Sequence, residues 1–398
     1  MLFRRLGQKE VEVIRTTAGM EDDAVAVLKR RADIEFAALD TVQTRQFTPS
    51  DADVSVQWHH SSLGSFEAWE RGLGSSNVTI AIVDYPFQMD HADLAANVGA
   101  GWDVTDEMPI LTAAGDAHST GAAGLAAAVI QNGLGVAGIG NFRVVPIGIT
   151  GAISEMYQAV LWAADHNIRV VNISWTGGGE EVLQAAGEYL EERVQGLLVM
   201  PGLNGVGRLD LTNQANVICV SMTDAADNAR SVSGPHIDFA APGWDVYSTT
   251  TGNGYAIARG TSFSAPLFSG IAAAVMSINP ALNAAQVLDV LRVTAIDKGS
   301  AGWDESFGWG RVHFGAAVDQ TLKTLPKITT VTREASEFRV TVQSAFPLQL
   351  ALESSDRAAG GEWTLVDERV ATSVSTSFND RPLTQAAFYR VRAESVQE

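Results

Sequence analysis

The chain has 398 residues, a formal charge of −19, and 46% hydrophobic against 18% charged side chains. That balance is globular and not disordered, and at about 100–200 residues per domain it predicts two or three domains. Residues 58–326 hold 11 basic and 26 acidic side chains, net −15, a surface that repels phosphate backbones and excludes nucleic acid as a partner.

Apolar stretches such as 121–130 fall short of the roughly 18 residues of a bilayer span, so no membrane span is expected. The single cysteine, Cys219, rules out an internal disulfide and a Cys-based zinc cluster. In the apolar run 217–220 it reads as a buried strand residue.

In chain order, Arg4-Arg5 is not followed by an apolar stretch, so no secretory signal is visible. Residues 10–14 alternate like a strand, 21–31 have helical spacing with acidic residues in the first turn, and 33–39 read as a second strand. Residues 41–55 are polar, contain Pro49, and read as an exposed linker. From residue 78 short β-branched runs recur at 78–83, 143–149, 168–174, 196–200 and 217–220. Helical stretches at 118–130, 153–166 and 180–194 lie between several of them. Continuous apolar strands predict a mainly parallel sheet covered on both faces, an α/β domain. Helices are expected at 262–278 and 283–294. After residue 327 the helical signal stops, and alternating runs such as 338–342 and 348–352 predict a C-terminal antiparallel β domain.

Three segments carry chemistry. Asp84 directly follows an apolar strand, at the carboxyl edge of the sheet, where α/β proteins build their sites. His118 opens a helix of small residues, Ser119-Thr120-Gly121-Ala122-Ala123-Gly124, which permits close packing beneath the imidazole. Ser262, in Gly260-Thr261-Ser262-Phe263-Ser264, starts an Ala-rich helix whose free N–H groups favour negative charge. It is not a G-x-S-x-G elbow, because Ser264 stands where the second glycine would be. Each segment alone has a plain structural reading as a turn former, a helix start or an N-cap.

Together, the order Asp84, His118, Ser262 is that of the subtilisin triad, and residues 57–322 resemble the catalytic domain of subtilisin-like serine proteases. The likeness extends to Gln57-Trp58-His59-His60, Asn132-Gly133-Leu134-Gly135-Val136, Val171-Asn172-Ile173-Ser174, Phe239-Ala240-Ala241-Pro242-Gly243 and Phe307-Gly308-Trp309-Gly310. It implies a subtilisin-like three-layer peptidase domain at 57–325, a propeptide-like α+β segment at 1–45, a linker at 46–56 and a β domain at 326–398. Autoprocessing would fall between residues 41 and 55.

The resemblance implies a serine endopeptidase with Ser262 as nucleophile, His118 as general base and Asp84 orienting it. Asn204 would be the side-chain donor of the oxyanion hole, and Ser174, Trp175, Thr176, Gly177 and Leu203 would line the substrate cleft. No cofactor is required for catalysis. Structural Ca²⁺ is compatible with the acidic domain, without assignable ligands. Several other histidines, His59, His60, His166, His236 and His313, lack ligand spacing. Protein or peptide substrates, the chain's own propeptide as inhibitor, and secretion are further implications. The β domain reads as a stabilising or secretion-associated appendage, with a carbohydrate- or surface-binding module as the alternative.

Four residues at three sites depart from the family pattern. Tyr85-Pro86 follows the acid where Thr-Gly or Ser-Gly is usual, Ser119 follows the histidine in place of Gly, and Leu203 replaces the Gly before Asn204. Leu203 is expected to narrow the S1 subsite and favour small P1 residues. The alternative is a catalytically weak or inactive relative that binds extended peptides in the same cleft.

Overall fold

The apolar runs pair into one eight-stranded sheet. The computed structural model describes residues 2–5, 12–13, 21–38, 47–175, 181–334, 337–344, 348–355, 362–371, 375–380 and 388–394. The chain divides into two compact units, Met1–Gln46 and Phe47–Glu398. The first contains a helix, Glu21–Lys29, and the strand Ile34–Ala38. That strand pairs antiparallel with Leu2–Arg5, which in turn pairs with Glu12–Val13. Val25 and Ala37 are its buried apolar contacts.

In the second unit the sheet strands are β1 (Thr79–Asp84), β2 (Gly101–Asp103), β3 (Met108–Ile110), β4 (Arg143–Gly148), β5 (Val170–Ile173), β6 (Leu197–Pro201), β7 (Val217–Thr223) and β8 (Phe239–Pro242). Their spatial order is β8-β7-β6-β5-β1-β4-β2-β3. All pairs are parallel except β2 with β3. The central strand β1 shows why the pattern reads as continuous. Ile80 and Ile82 enter the layer on one face, and Ala81 and Val83 enter the layer on the other. Period-two alternation is invisible when both faces are buried.

Helices α1 (Ala117–Ala127), α2 (Ile153–Asp165), α3 (Glu181–Val194), α4 (Thr261–Ile278), α5 (Ala284–Thr294) and α6 (Phe314–Thr324) supply the two outer layers. Helices α2 and α3 cover one face, while α1, α4, α5 and α6 cover the other. The first helix ends at Ala127, short of the expected 130, because Ala128 turns to extended backbone (ψ 142°). By length and composition α4 could cross a membrane, but 83% of it is buried in the domain, as befits a central core helix.

A hairpin of β9 (Trp244–Thr250) and β10 (Gly254–Arg259) lies outside the main sheet. Its first strand packs on α1 so closely that a Cβ on Gly124 would collide with Thr249 Oγ1 and Ser248 Oγ. The hydroxyls of Ser248 and Thr249 donate to the carbonyls of Gly121 and Thr120 (2.8 and 2.7 Å). The small residues of α1 are thus required by strand contact.

A buried polar knot closes the start of this unit. His60 in the short helix Trp58–Leu63 is fully buried. Its Nε2–H donates to the Ala137 carbonyl (3.0 Å), while Nδ1 accepts from the Ser65 hydroxyl (2.9 Å). The ring of His59 lies 4.4 Å away, centroid to centroid. Burial pushes the pKa of His60 down to about 4, and that of His59 well below the usual histidine range, with His60's charge adding to the shift. Cys219 is buried on β7, and burial with the nearby Asp238 charge pushes its thiol up.

The C-terminal strands form two three-stranded antiparallel sheets. The first orders Lys327–Glu334, Glu337–Gln343 and Ser375–Asp380, and the second orders Thr364–Ala371, Leu348–Ser355 and Phe388–Glu394. Val340, Val342 and Phe378 of one meet Leu350 and Leu352 of the other in a shared core that also contains Ala281.

Candidate active site

Asp84 ends β1 where the chain changes direction across the sheet: β4 follows on one side of β1 and β5 on the other. Such a switch leaves a crevice at the carboxyl ends of the strands. The carboxylate is 1% exposed, so its hydrogen-bond partners fix it. Oδ2 faces His118 Nδ1 at 2.7 Å. Oδ1 accepts the backbone N–H of Tyr85 (2.8 Å) and the indole Nε1–H of Trp175 (2.9 Å).

His118 is the second residue of α1. Asp116 caps this helix, accepting the N–H groups of His118 and Ser119 (2.8 and 3.3 Å). The cap fixes the first turn and therefore the imidazole's starting point. Nε2 lies 2.8 Å from Ser262 Oγ, and the ring of Phe263 packs edge-on at 5.1 Å. Burial opposes the imidazolium, but the hydrogen bond and charge of Asp84, with the charge of Asp116, outweigh it. The His118 pKa is raised above the ordinary 6.5.

Ser262 is the second residue of α4 and is 9% exposed. Four residues later stands Pro266, which has no N–H to give to the Ser262 carbonyl. The hydroxyl of Ser174 donates to that carbonyl instead (3.1 Å) and accepts from Asn172 Nδ2 (2.8 Å). Ser174 is 5% exposed, so its side chain supports the nucleophile's backbone. Before the helix, Gly260 has φ 146°, and a Cβ there would sit 3.2 Å from Ser262 Oγ and 3.5 Å from Asn204 Nδ2.

Asn204 follows β6. Its Oδ1 accepts the Thr261 N–H (2.9 Å) and the Thr261 hydroxyl (3.2 Å). The hydroxyl also donates to the Gly202 carbonyl (2.6 Å). With Oδ1 committed to Thr261, Nδ2 is the end of this amide left to donate. Leu203 is half-buried, its carbonyl accepting from Val232 N–H (2.9 Å).

The structure thus brings Asp84, His118, Ser262 and Asn204 to one locality, with Ser174 and Trp175 beside them. Thr176 and Gly177 lie outside the described residues. Sequence reasoning missed Asp116, Thr261 and the contact of Trp175 with Asp84. Asp116 was detectable as an acid two residues ahead of His118 at a helix start. Thr261 and Trp175 act through tertiary contacts and carry no local signal. Among the described residues no group of three or more His, Cys, Asp or Glu side chains converges as a metal site.

The family model for Peptidase S8, the subtilase family, matches residues 75–310, more than half of the chain and spanning all four of these residues. The chain belongs to the subtilase family. The subtilase is 32% identical over 302 residues to a halolysin-like extracellular serine protease, Nep, of Natrialba magadii. That match covers 72% of this chain but only 56% of Nep, so the chain spans little more than half of that relative's length. Thermitase of Thermoactinomyces vulgaris is 34% identical over 58% of the subtilase and 86% of its own length. Among solved structures, a protease from Pseudoalteromonas arctica superposes with a TM-score of 0.60 at 26% identity, over 69% of the subtilase and all of that chain.

Proposed function

We propose that this subtilase is a serine endopeptidase acting through Asp84, His118 and Ser262. The observation that carries the reading is the unbroken hydrogen-bond chain from Asp84 Oδ2 through His118 to Ser262 Oγ, at 2.7 and 2.8 Å. In this reading Ser262 Oγ attacks the scissile carbonyl as His118 Nε2 takes its proton. The tetrahedral oxyanion receives hydrogen bonds from Asn204 Nδ2 and the N–H groups at the start of α4. His118 then protonates the leaving amine, leaving an acyl-enzyme that water hydrolyses by the reverse sequence. Asp84 keeps Nδ1 protonated and stabilises the imidazolium.

Extended protein or peptide substrates fit this chemistry, with Leu203 narrowing S1 toward small P1 side chains. The relative from Natrialba is named an extracellular protease, and we read this subtilase as secreted too, with residues 1–45 acting as its inhibitory propeptide. The geometry favours this reading over a peptide-binding pseudoenzyme, because Tyr85-Pro86 leaves the acid within bonding distance of His118.

The test is labelling with a fluorophosphonate probe, read by peptide mass spectrometry. An adduct on Ser262, absent from Ser262→Ala, is expected. A folded chain that stays unlabelled after removal of residues 1–55 would refute the catalytic reading.

A further inference from the structure

Resting on that reading, we propose that Trp175 is a positioning residue of the triad. Its indole N–H, acting with the Tyr85 amide, locks one oxygen of Asp84 so that the other is aimed at His118. A carboxylate on a strand end can rotate about its last side-chain bond, and its two oxygens are chemically equivalent. Here they are made different. Oδ1 receives two N–H donors, from Tyr85 and Trp175, and Oδ2 is left to the imidazole. The Asp84 side chain is 1% exposed, so bulk water is not at hand to replace a lost donor.

The indole is itself held in place. Its six-membered ring lies over Gly151 (φ 105°), where a Cβ would come within 2.5 Å of it. The ring of Tyr85 packs against it edge-on at 5.5 Å. Gly151 lies in the short connection between β4 and α2, so two separate segments of chain, 84–85 and the β4–α2 connection, converge on this one tryptophan. Ser174, the preceding residue, holds the carbonyl of Ser262. The two adjacent residues after β5 therefore grip the acid and the nucleophile at once. Trp175, which the sequence places along the substrate cleft, spends its polar edge on Asp84.

The test is Trp175→Phe in the full chain, which keeps an aromatic ring and removes the donor. A hydrogen bond to a charged group is lost, so kcat is expected to fall about 10–100-fold with KM nearly unchanged. A second readout does not need activity. In the Ser262→Ala background, the His118 imidazole is titrated by NMR with and without Trp175→Phe. The indole N–H points its positive end at Asp84. Without it, the local field at His118 is more negative, the imidazolium is favoured, and the midpoint moves up by roughly half a pH unit. The same shift appears in the acid limb of the active enzyme. A role in packing alone would leave both unmoved, and an unchanged kcat with an unchanged midpoint would overturn the proposal.

If Trp175→Phe does not fold, the indole proton of Trp175 in Ser262→Ala decides the matter by hydrogen exchange. Protection is expected, and exchange at the rate of an exposed tryptophan would refute the bond. Failure of the probe to label Ser262 in the parent chain would sink the catalytic reading by itself, while the titration and the exchange still score Trp175.

Discussion

Acidification should destabilise this protein through His60 before any carboxylate network fails. His60 is buried with both ring nitrogens satisfied in the neutral form, by Ser65 and Ala137. Its pKa is held at about 4, below the ordinary 6.5. As pH falls below 6.5 the unfolded chain binds this proton and the folded one does not, so stability drops until pH reaches about 4. At 1.36 kcal/mol per unit, the loss from this residue is roughly 2 kcal/mol by pH 5 and roughly 3 kcal/mol by pH 4.

Buried His59, also lowered, adds to this loss, and three groups oppose it, the first being Asp51, which burial raises. Burial raises Asp238 to about 6, so the folded state binds that proton first and gains stability as pH falls from about 6. His118, raised above 6.5, likewise favours the folded state on acidification. A direct pH curve therefore reports only a net effect. The difference between the Ser262→Ala protein and its His60→Gln derivative isolates the residue, because the opposing groups are common to both. Urea unfolding at pH 7 and pH 5 is the assay. The parent should lose roughly 2 kcal/mol more than the derivative over that interval. Equal losses in the two proteins would refute the argument.

The raised His118 pKa sets the acid limb of kcat/KM above pH 6.5, since the neutral imidazole is the base; a pH–rate profile with its limb below 6 would contradict it. Asn204→Leu should lower kcat by about 10²–10³-fold with little change in KM, and a steady-state comparison showing an unchanged kcat would remove Asn204 from the oxyanion hole. Gly124→Ala places a methyl group against Thr249 Oγ1 and should cost about 1–3 kcal/mol by overpacking α1 on β9, read as a lowered thermal midpoint in the Ser262→Ala background.

The parallel sheet was legible because β1, β4, β5, β6 and β7 are buried on both faces and read as unbroken apolar runs. The three-residue strands β2 and β3 were not, since so short a segment has no period to detect. The hairpin β9–β10 was missed for a different reason. Trp244, Tyr247, Tyr255 and Ile257 sit on a two-stranded ribbon whose register comes from pairing, not from strict alternation. Helix α6 hides behind Gly315, Thr321 and Thr324, poor helix formers, and is held by His313 Nδ1, which accepts the Ala316 N–H. Asp84, His118 and Ser262 were legible through their chain order and immediate neighbours. The roles of Ser174, Trp175 and Thr261 were not, because each depends on a partner 57 to 91 residues away.

The placement of β1 at the centre of the sheet also shapes how the chain can be made. Both of its neighbours, β4 and β5, are encoded after it, and the second is complete only at residue 173. At about 5–20 residues per second of synthesis, the apolar strand bearing Asp84 waits on the order of 5–20 s for its full complement of partners. Parallel pairing of this kind is slow even in a finished chain, because loop closure precedes any reward. The strand at the heart of the site is therefore also the segment most exposed to wrong associations during biosynthesis. Mutations that lower yield without touching the assembled site should concentrate in the strands that β1 waits for.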